Sequence, residues 1–268
     1  MYILMSTAFV KTVKRYGNSG GVYLPAGWVG GSVRVELVKK PLDPKSDLLG
    51  GIDTEHVISI ILYGSYARRE MEKGSDIDVI LVVDEDGGKI KIPSEIRQRY
   101  DVQVRTARQM QNAMANDPIF HKSIKDSSAA IVNHQFLDDL KNEARLNSDS
   151  VRTRVGLAES SLGLTKSIME NYEGSEELIY PLVMRLKEMI ILECLFSNKK
   201  YNTRMLRTEI LDSGISPKEL NATMAIYRSI RDNKNHRTEI SKDIIPKLIL
   251  LLETKIKHVK QKTLEKRH

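Results

Sequence analysis

The sequence predicts an α+β protein in three parts: a small β unit over residues 1–42, a mixed-sheet α/β core over 43–135, and a helical bundle over 136–268. Three observations carry this expectation. Short β-branched runs and Gly/Asn turns crowd the first forty positions. Apolar strands alternate with short helical stretches from Val57 to Val132. Beyond Phe136 glycine and proline thin out, and apolar residues recur at helical spacing.

In the first unit, Phe9 to Tyr16 alternates like a strand, Gly17 to Gly21 reads as a turn, Val22 to Pro25 as a short strand, and Ser32 to Val38 as a third. A unit of roughly thirty residues cannot bury a sufficient core alone, so it should pair with a second copy or pack on the rest. Gly17-Asn18-Ser19, then Leu24-Pro25, then Val33-Arg34-Val35-Glu36-Leu37 resemble the AbrB-like swapped-hairpin DNA-binding domains, in which two copies interlace. That resemblance implies a homodimer and sets Lys11, Lys14 and Arg15 against the DNA backbone, where contacts position a protein without reading sequence. The same residues also fit a β-meander that only pairs subunits. Pro41 to Asp47, with Gly50-Gly51 following, reads as a linker, so the core should begin near Leu48.

Val57 to Leu62 is an apolar, β-branched run expected to form a buried strand, which Gly64-Ser65 then breaks. Ser65 is placed to cap a short helix whose first N–H groups form an anion site. Lys73-Gly74-Ser75 reverses the chain, and Asp76 to Val83 is a second strand. Side chains alternate along a strand, so Asp76 and Asp78 share a face. Two such carboxylates repel unless a cation lies between them, and magnesium suits because it takes oxygen ligands together with substrate phosphates. A phosphate cradle beside a metal site reads as phosphoryl or nucleotidyl transfer. Asp-x-Asp alone is a common surface turn; the full order of strand, Gly-Ser, short basic helix, Ser-Asp-x-Asp and apolar strand is what gives specificity.

The remainder of the core follows. Asp84-Glu85-Asp86 reads as a solvated turn, Pro93 to Arg99 as a short helix, and Tyr100 to Thr106 as a third strand with Asp101 at its start. Thr106 to Ala115 and Ile119 to Lys125 read as helices divided by Asn116-Asp117-Pro118, with Ala129 to Val132 as a last strand. His121 is expected at the surface.

Gly64-Ser65-Tyr66-Ala67-Arg68 followed by Ser75-Asp76-Ile77-Asp78 resembles the signature of the DNA polymerase β-like nucleotidyltransferases, which include small minimal enzymes and aminoglycoside nucleotidyltransferases. The resemblance implies magnesium-dependent transfer of NMP from an NTP, ATP first among them, to a hydroxyl of a protein or small alcohol, with release of pyrophosphate. Gly64, Ser65 and Arg68 would hold the nucleotide phosphates. Asp76, Asp78 and Asp101 would be the catalytic carboxylates and hold one or two magnesium ions, with Asp101 as general base or as part of a second metal site. Arg69 stands where the family usually has glycine.

In the bundle, helices are expected over 151–172, 178–196, 205–211, 220–230 and 244–259. The single cysteine, Cys194, excludes an intrachain disulfide or zinc cluster and reads as a buried thiol. Arg231 and His236 match the spacing of the HEPN helical domains, which implies an RNase pair, the Arg steadying a phosphate and the His moving a proton. No Tyr follows His236, where related toxins carry one. The plainer reading is a basic helix C-terminus that complements its dipole.

A net charge of +7 suits a polyanionic partner or simple solubility. No apolar run approaches the roughly 20 residues of a membrane span, and the start lacks a basic leader, so a cytoplasmic protein is expected. A competing reading is a DNA-binding regulator or antitoxin whose nucleotidyltransferase fold senses nucleotide. The intact pair Asp76 and Asp78 argues against it, because a sensor has no need of paired metal carboxylates.

Overall fold

The computed structural model describes residues 10–38, 42–71, 76–86, 90–171, 176–234 and 240–265. The chain divides into two compact units, 1–46 and 47–268.

In the first unit, β1 (Lys14–Tyr16) and β2 (Ser19–Gly21) form an antiparallel hairpin with Tyr16 opposite Ser19. Gly17 takes φ +60°, the left-handed value that a two-residue hairpin turn demands. The hairpin is tighter than the sequence suggests. The turn is two residues long, and Ser32 to Val38 forms no strand because no described strand lies beside it to complete a ladder. None of residues 10–38 is buried. Val10, Val13, Tyr23, Val29, Val35 and Leu37 all stand exposed.

The second unit contains a four-stranded mixed sheet in the order β5-β4-β3-β6. Its strands are β3 (Val57–Tyr63), β4 (Ile77–Val83), β5 (Tyr100–Thr106) and β6 (Ala129–Val132). β3 lies antiparallel to β4 and β6, while β4 and β5 run parallel. Alternation sends Ile60, Leu62, Val79 and Leu81 to one face, against Leu48 and Ile52 and against Ile96 of α3 (Ser94–Arg97). Ile61, Ile80 and Val82 face the other way, onto α4 (Ala107–Asn116), α5 (Pro118–Asp126) and α6 (His134–Glu143). Both faces are covered, which explains the near-continuous apolar run of β4.

The expected linker is in part a helix. α1 (Pro44–Gly51) starts with proline, and the carboxylate of Asp43 accepts the Ser46 N–H at 3.2 Å. α4 opens with a capping box of Thr106 and Gln109, and α5 with Asp117, whose side chain accepts from the N–H groups of Ile119 and Phe120. The predicted break at Asn116-Asp117-Pro118 is therefore a shared end and start.

Five long helices follow: α7 (Ser148–Asn171), α8 (Ile179–Phe196), α9 (Thr203–Asp212), α10 (Pro217–Arg231) and α11 (Ile244–Glu265). α8 is the central one. It buries Leu182, Val183, Leu186, Met189, Ile190, Ile191 and Leu192 and packs against α7, α9, α10, α11 and α5. A helix apolar on most of its circumference is a core helix. Cys194 is buried on it, as expected. Of the described helices, α6 was not singled out by the sequence pattern.

His121 corrects a surface expectation. It is 5% exposed, and its Nδ1 lies 2.7 Å from the Met114 carbonyl oxygen, which ties α5 to α4. Burial holds the imidazole below the usual histidine range, opposed by the bond to Met114 and reinforced by Lys125 and Lys122. The folded state thus favours neutral His121, and stability is lost as pH falls through the unfolded histidine value of about 6.5. Thermal melts between pH 7.5 and 5.5 should show a steeper fall for the wild-type chain than for His121→Gln. Equal slopes would exclude His121 as the titrating group.

Candidate active site

The ladder between β4 and β5 pairs Asp78 with Asp101 directly. Parallel strands in register point opposed residues the same way, so the two carboxylates stand side by side. Asp76 precedes β4 by one residue and is exposed, as is Asp101, whereas Asp78 is half-buried. Burial, the Asp101 carboxylate and the Asp76 carboxylate push Asp78 above the usual carboxylate range. Lys187 and Arg68 act against that rise.

β3 delivers the other half of the site. Tyr63 pairs with Asp78, and Gly64 begins α2 (Gly64–Ala67). Gly64 takes φ +72°, and a Cβ built there would collide with the Asp78 carboxylate. Glycine is thus favoured twice, by backbone conformation and by the close approach of Asp78. Ser65 does not cap α2 as expected: Tyr63 occupies the N-cap without a side-chain bond, and Ser65 lies in the first turn. The end of α2 explains the departure at Arg69. Arg69 N–H donates to Tyr66 O at 2.9 Å and Glu70 N–H to Ser65 O at 2.9 Å, the two bonds of a Schellman motif. Arg69 sits at its left-handed position with φ +59°, the conformation for which glycine is favoured.

Arg68 and Glu70 fasten this loop to the helices. Arg68 Nε donates to Glu70 Oε2 at 2.9 Å, and its guanidinium lies 5.5 Å from the centre of the Tyr201 ring. Glu70 accepts from the Thr203 N–H and hydroxyl at the start of α9, where the helix dipole favours a carboxylate. Beside Asp101, the Asp47 carboxylate accepts from the Tyr100 hydroxyl at 2.6 Å and pairs with Arg99 at 2.8 Å. Along the same face of β5, Gln103 donates to the Tyr63 hydroxyl at 3.0 Å, and Arg105 stacks 4.8 Å from the centre of the Phe120 ring.

Residues 46–128 match the family model of a nucleotidyltransferase domain. No curated protein matches the chain. The matched segment contains Gly64, Ser65, Arg68, Asp76, Asp78 and Asp101, and it supports a general nucleotide-transfer function for this region.

Two helix cations that sequence reasoning did not connect with these carboxylates act on them electrostatically. Lys187 of α8 interacts electrostatically with Asp78, and Arg231 of α10 with Asp76. No local signal marks Lys187, which lies in an amphipathic position of an apolar helix. Arg231 bonds Asp232 at 2.7 Å; His236 lies outside the described residues. Among the described residues, no group of three or more His, Cys, Asp or Glu side chains is arranged to hold a metal by itself. Among them, too, no helix is long and apolar enough to cross a membrane.

The two left-handed positions predict opposite mutational effects. Arg69→Gly should stabilise the chain by about 1 kcal/mol, by relieving backbone strain at an exposed side chain. Gly64→Ala should destabilise it by about 1–3 kcal/mol, and by less in an Asp78→Ala background where only the φ penalty survives. Urea denaturation of the double-mutant cycle checks this; strict additivity would refute the Gly64–Asp78 contact.

Proposed function

We propose that the protein is a magnesium-dependent nucleotidyltransferase that moves NMP from an NTP, ATP first, to an acceptor hydroxyl on a protein or small molecule. The observation that carries this reading is the side-by-side placement of Asp78 and Asp101, with the Asp78 carboxylate lying where a Cβ of Gly64 would stand. Magnesium commonly rests on one or two carboxylates, completed by waters and substrate phosphates. Asp78 and Asp101 supply that donor set, with Asp76 beside them, and burial together with the Asp101 and Asp76 carboxylates holds the Asp78 carboxyl above its usual range. The ion would neutralise triphosphate charge there.

The roles of the chain's own groups follow. Gly64 and Ser65 lie in the first turn of α2, whose N–H groups have no intrahelical partner and suit phosphate oxygens. Arg68 stands near Asp78 to offset charge that develops on the leaving group. Asp101 takes the proton from the acceptor hydroxyl as its oxygen bonds to the α-phosphorus and the bond to pyrophosphate breaks. Incubation with each of the four α-labelled NTPs should transfer label to the protein, a co-purified partner or a small alcohol. Asp76→Asn, Asp78→Asn and Asp101→Asn should each lower transfer by about a hundredfold or more. Transfer that survives all three substitutions, or none with any NTP, would refute the assignment.

A second reading concerns the first unit, and the absence of any buried residue across 10–38 favours it. Exposed apolar side chains at this density mark an interaction surface, and we infer that the unit pairs two copies of the chain. Lys11, Lys14 and Arg15 are exposed there and suited to a DNA backbone. Light scattering should give a dimer for the full chain and a monomer for Tyr23→Asp/Val35→Asp. DNA retention should weaken with salt and with Lys14→Ala/Arg15→Ala. A monomeric wild-type chain would exclude the pairing.

A further inference from the structure

The two edges of the sheet are built differently. β6, at one edge, is four residues long, and its pairing with β3 shifts register between Ile60 and Ile61. β5, at the other edge, is seven residues long and pairs with β4 without a break from Tyr100 to Thr106. Edge strands are commonly shortened, bulged, covered, or blocked by lysine or proline. β5 has neither residue and no bulge. Among the described residues, no strand lies beside its outer edge, and the backbone from Asp101 to Arg105 forms no hydrogen bond other than those to β4. A strand bonded on one side only turns alternate N–H and C=O groups outward, so a row of open donors and acceptors runs along β5. None of residues 101–106 is buried, whereas all but one residue of β4 are.

That row begins at Asp101, the carboxylate proposed to take the proton of the acceptor hydroxyl. Asp101, Gln103 and Arg105 share one face of the strand, while Val102 and Val104 share the other and pack partly on the core. Arg105 is held in place by the Phe120 ring at 4.8 Å and by a 3.0 Å bond from its Nη2 to Gln103 Oε1, and among the described residues no carboxylate pairs with it. We propose that β5 is the acceptor-docking edge, and that the acceptor is a polypeptide segment that adds to it as an extended antiparallel strand. Antiparallel addition is the commoner and slightly more stable pairing. Residues directly opposite have Cβ atoms about 4.5–5.5 Å apart, so a Ser, Thr or Tyr opposite Asp101 brings its hydroxyl to that carboxylate. The spacing from Asp101 to Arg105 then sets an Asp or Glu four positions before the hydroxyl residue, with apolar residues opposite the two valines. A second copy of β5 laid antiparallel about Gln103 also matches charges, but it seats Arg105 against Asp101 and withdraws that carboxylate from any acceptor. The inference rests on the nucleotidyltransferase reading and names its substrate class. The segment's hydroxyl oxygen bonds to the α-phosphorus, pyrophosphate leaves with the electrons of the broken bond, and the proton passes to Asp101.

The test incubates the full chain with magnesium, each α-labelled NTP, and a library of short blocked peptides with a central Ser, Thr or Tyr and randomised neighbours. Labelled peptides should be enriched about fivefold or more in Asp or Glu four positions before the hydroxyl residue. Arg105→Glu should move that preference to Lys or Arg, a gain that a misfolded variant cannot produce, and Arg105→Lys should keep it. In the best peptide, N-methylation of one alternate set of backbone nitrogens should lower kcat/KM about tenfold or more. Methylation of the other set should leave it nearly unchanged, the period-two signature of a paired strand. Label without preference at that position, equal sensitivity to both methylated sets, or label on small alcohols alone would overturn strand docking and leave nucleotidyl transfer standing. A chain that labels no peptide, and whose Arg105→Glu variant scatters light as a smaller assembly, uses the edge to pair copies, which also overturns the proposal. If no acceptor of any kind is labelled from any NTP, the enzyme reading fails and the docking role falls with it.

Discussion

Two carboxylates held side by side on neighbouring parallel strands repel, and the local structure around β4 and β5 exists against that repulsion. The register that pairs Asp78 with Asp101 is the same register that buries Val79, Ile80 and Leu81. A one-residue slip would relieve the charges but turn the apolar set of β4 to the wrong faces. The burial of several Ile, Leu and Val side chains, each worth about 1.5–3 kcal/mol, therefore enforces a charge arrangement that would not form unaided. Burial first, and the Asp101 carboxylate second, raise the Asp78 carboxyl above its usual range. Strain of this kind tends to be kept where chemistry needs it.

Several features hold the arrangement in place. The Asp47 carboxylate fixes Tyr100 and Arg99 just before Asp101, so the start of β5 is anchored to α1. Gly64 lets β3 turn away within contact of Asp78, and the Schellman motif at Arg69 ends α2 after one turn. Glu70 then joins this loop to the start of α9. The helical region is consequently fastened to the carboxylate pair through the loop that follows Gly64 and Ser65. A displacement of α9 would be felt at Arg68 within two residues.

Legibility from sequence divided along physical lines. Strands β3, β4 and β5 were readable because alternation and β-branched runs are local signals, and the direct pairing of Asp78 with Asp101 extends what the motif alone implied. The long helices were readable from periodicity. What escaped depended on tertiary packing. His121 looks like a surface residue until α4 supplies the Met114 carbonyl. The stretch from Pro44 looks like a linker because Gly50-Gly51 obscures a proline-initiated helix. Arg69 looked like a misfit in the motif; its φ shows that the backbone keeps the glycine conformation and carries the strain of a side chain there.

The same division explains why Lys187 was invisible. A lysine in a helix of Leu, Ile and Met reads as the polar edge of an amphipathic face, and nothing in its neighbours marks it. Its meaning depends on a strand more than a hundred positions earlier, since Asp78 is the carboxylate that most favours its charge. Replacing a desolvated lysine with an apolar side chain is commonly neutral or stabilising, so folding alone gives no reason to keep one there. The electrostatic conflicts on the sheet and on the helix have opposite signs.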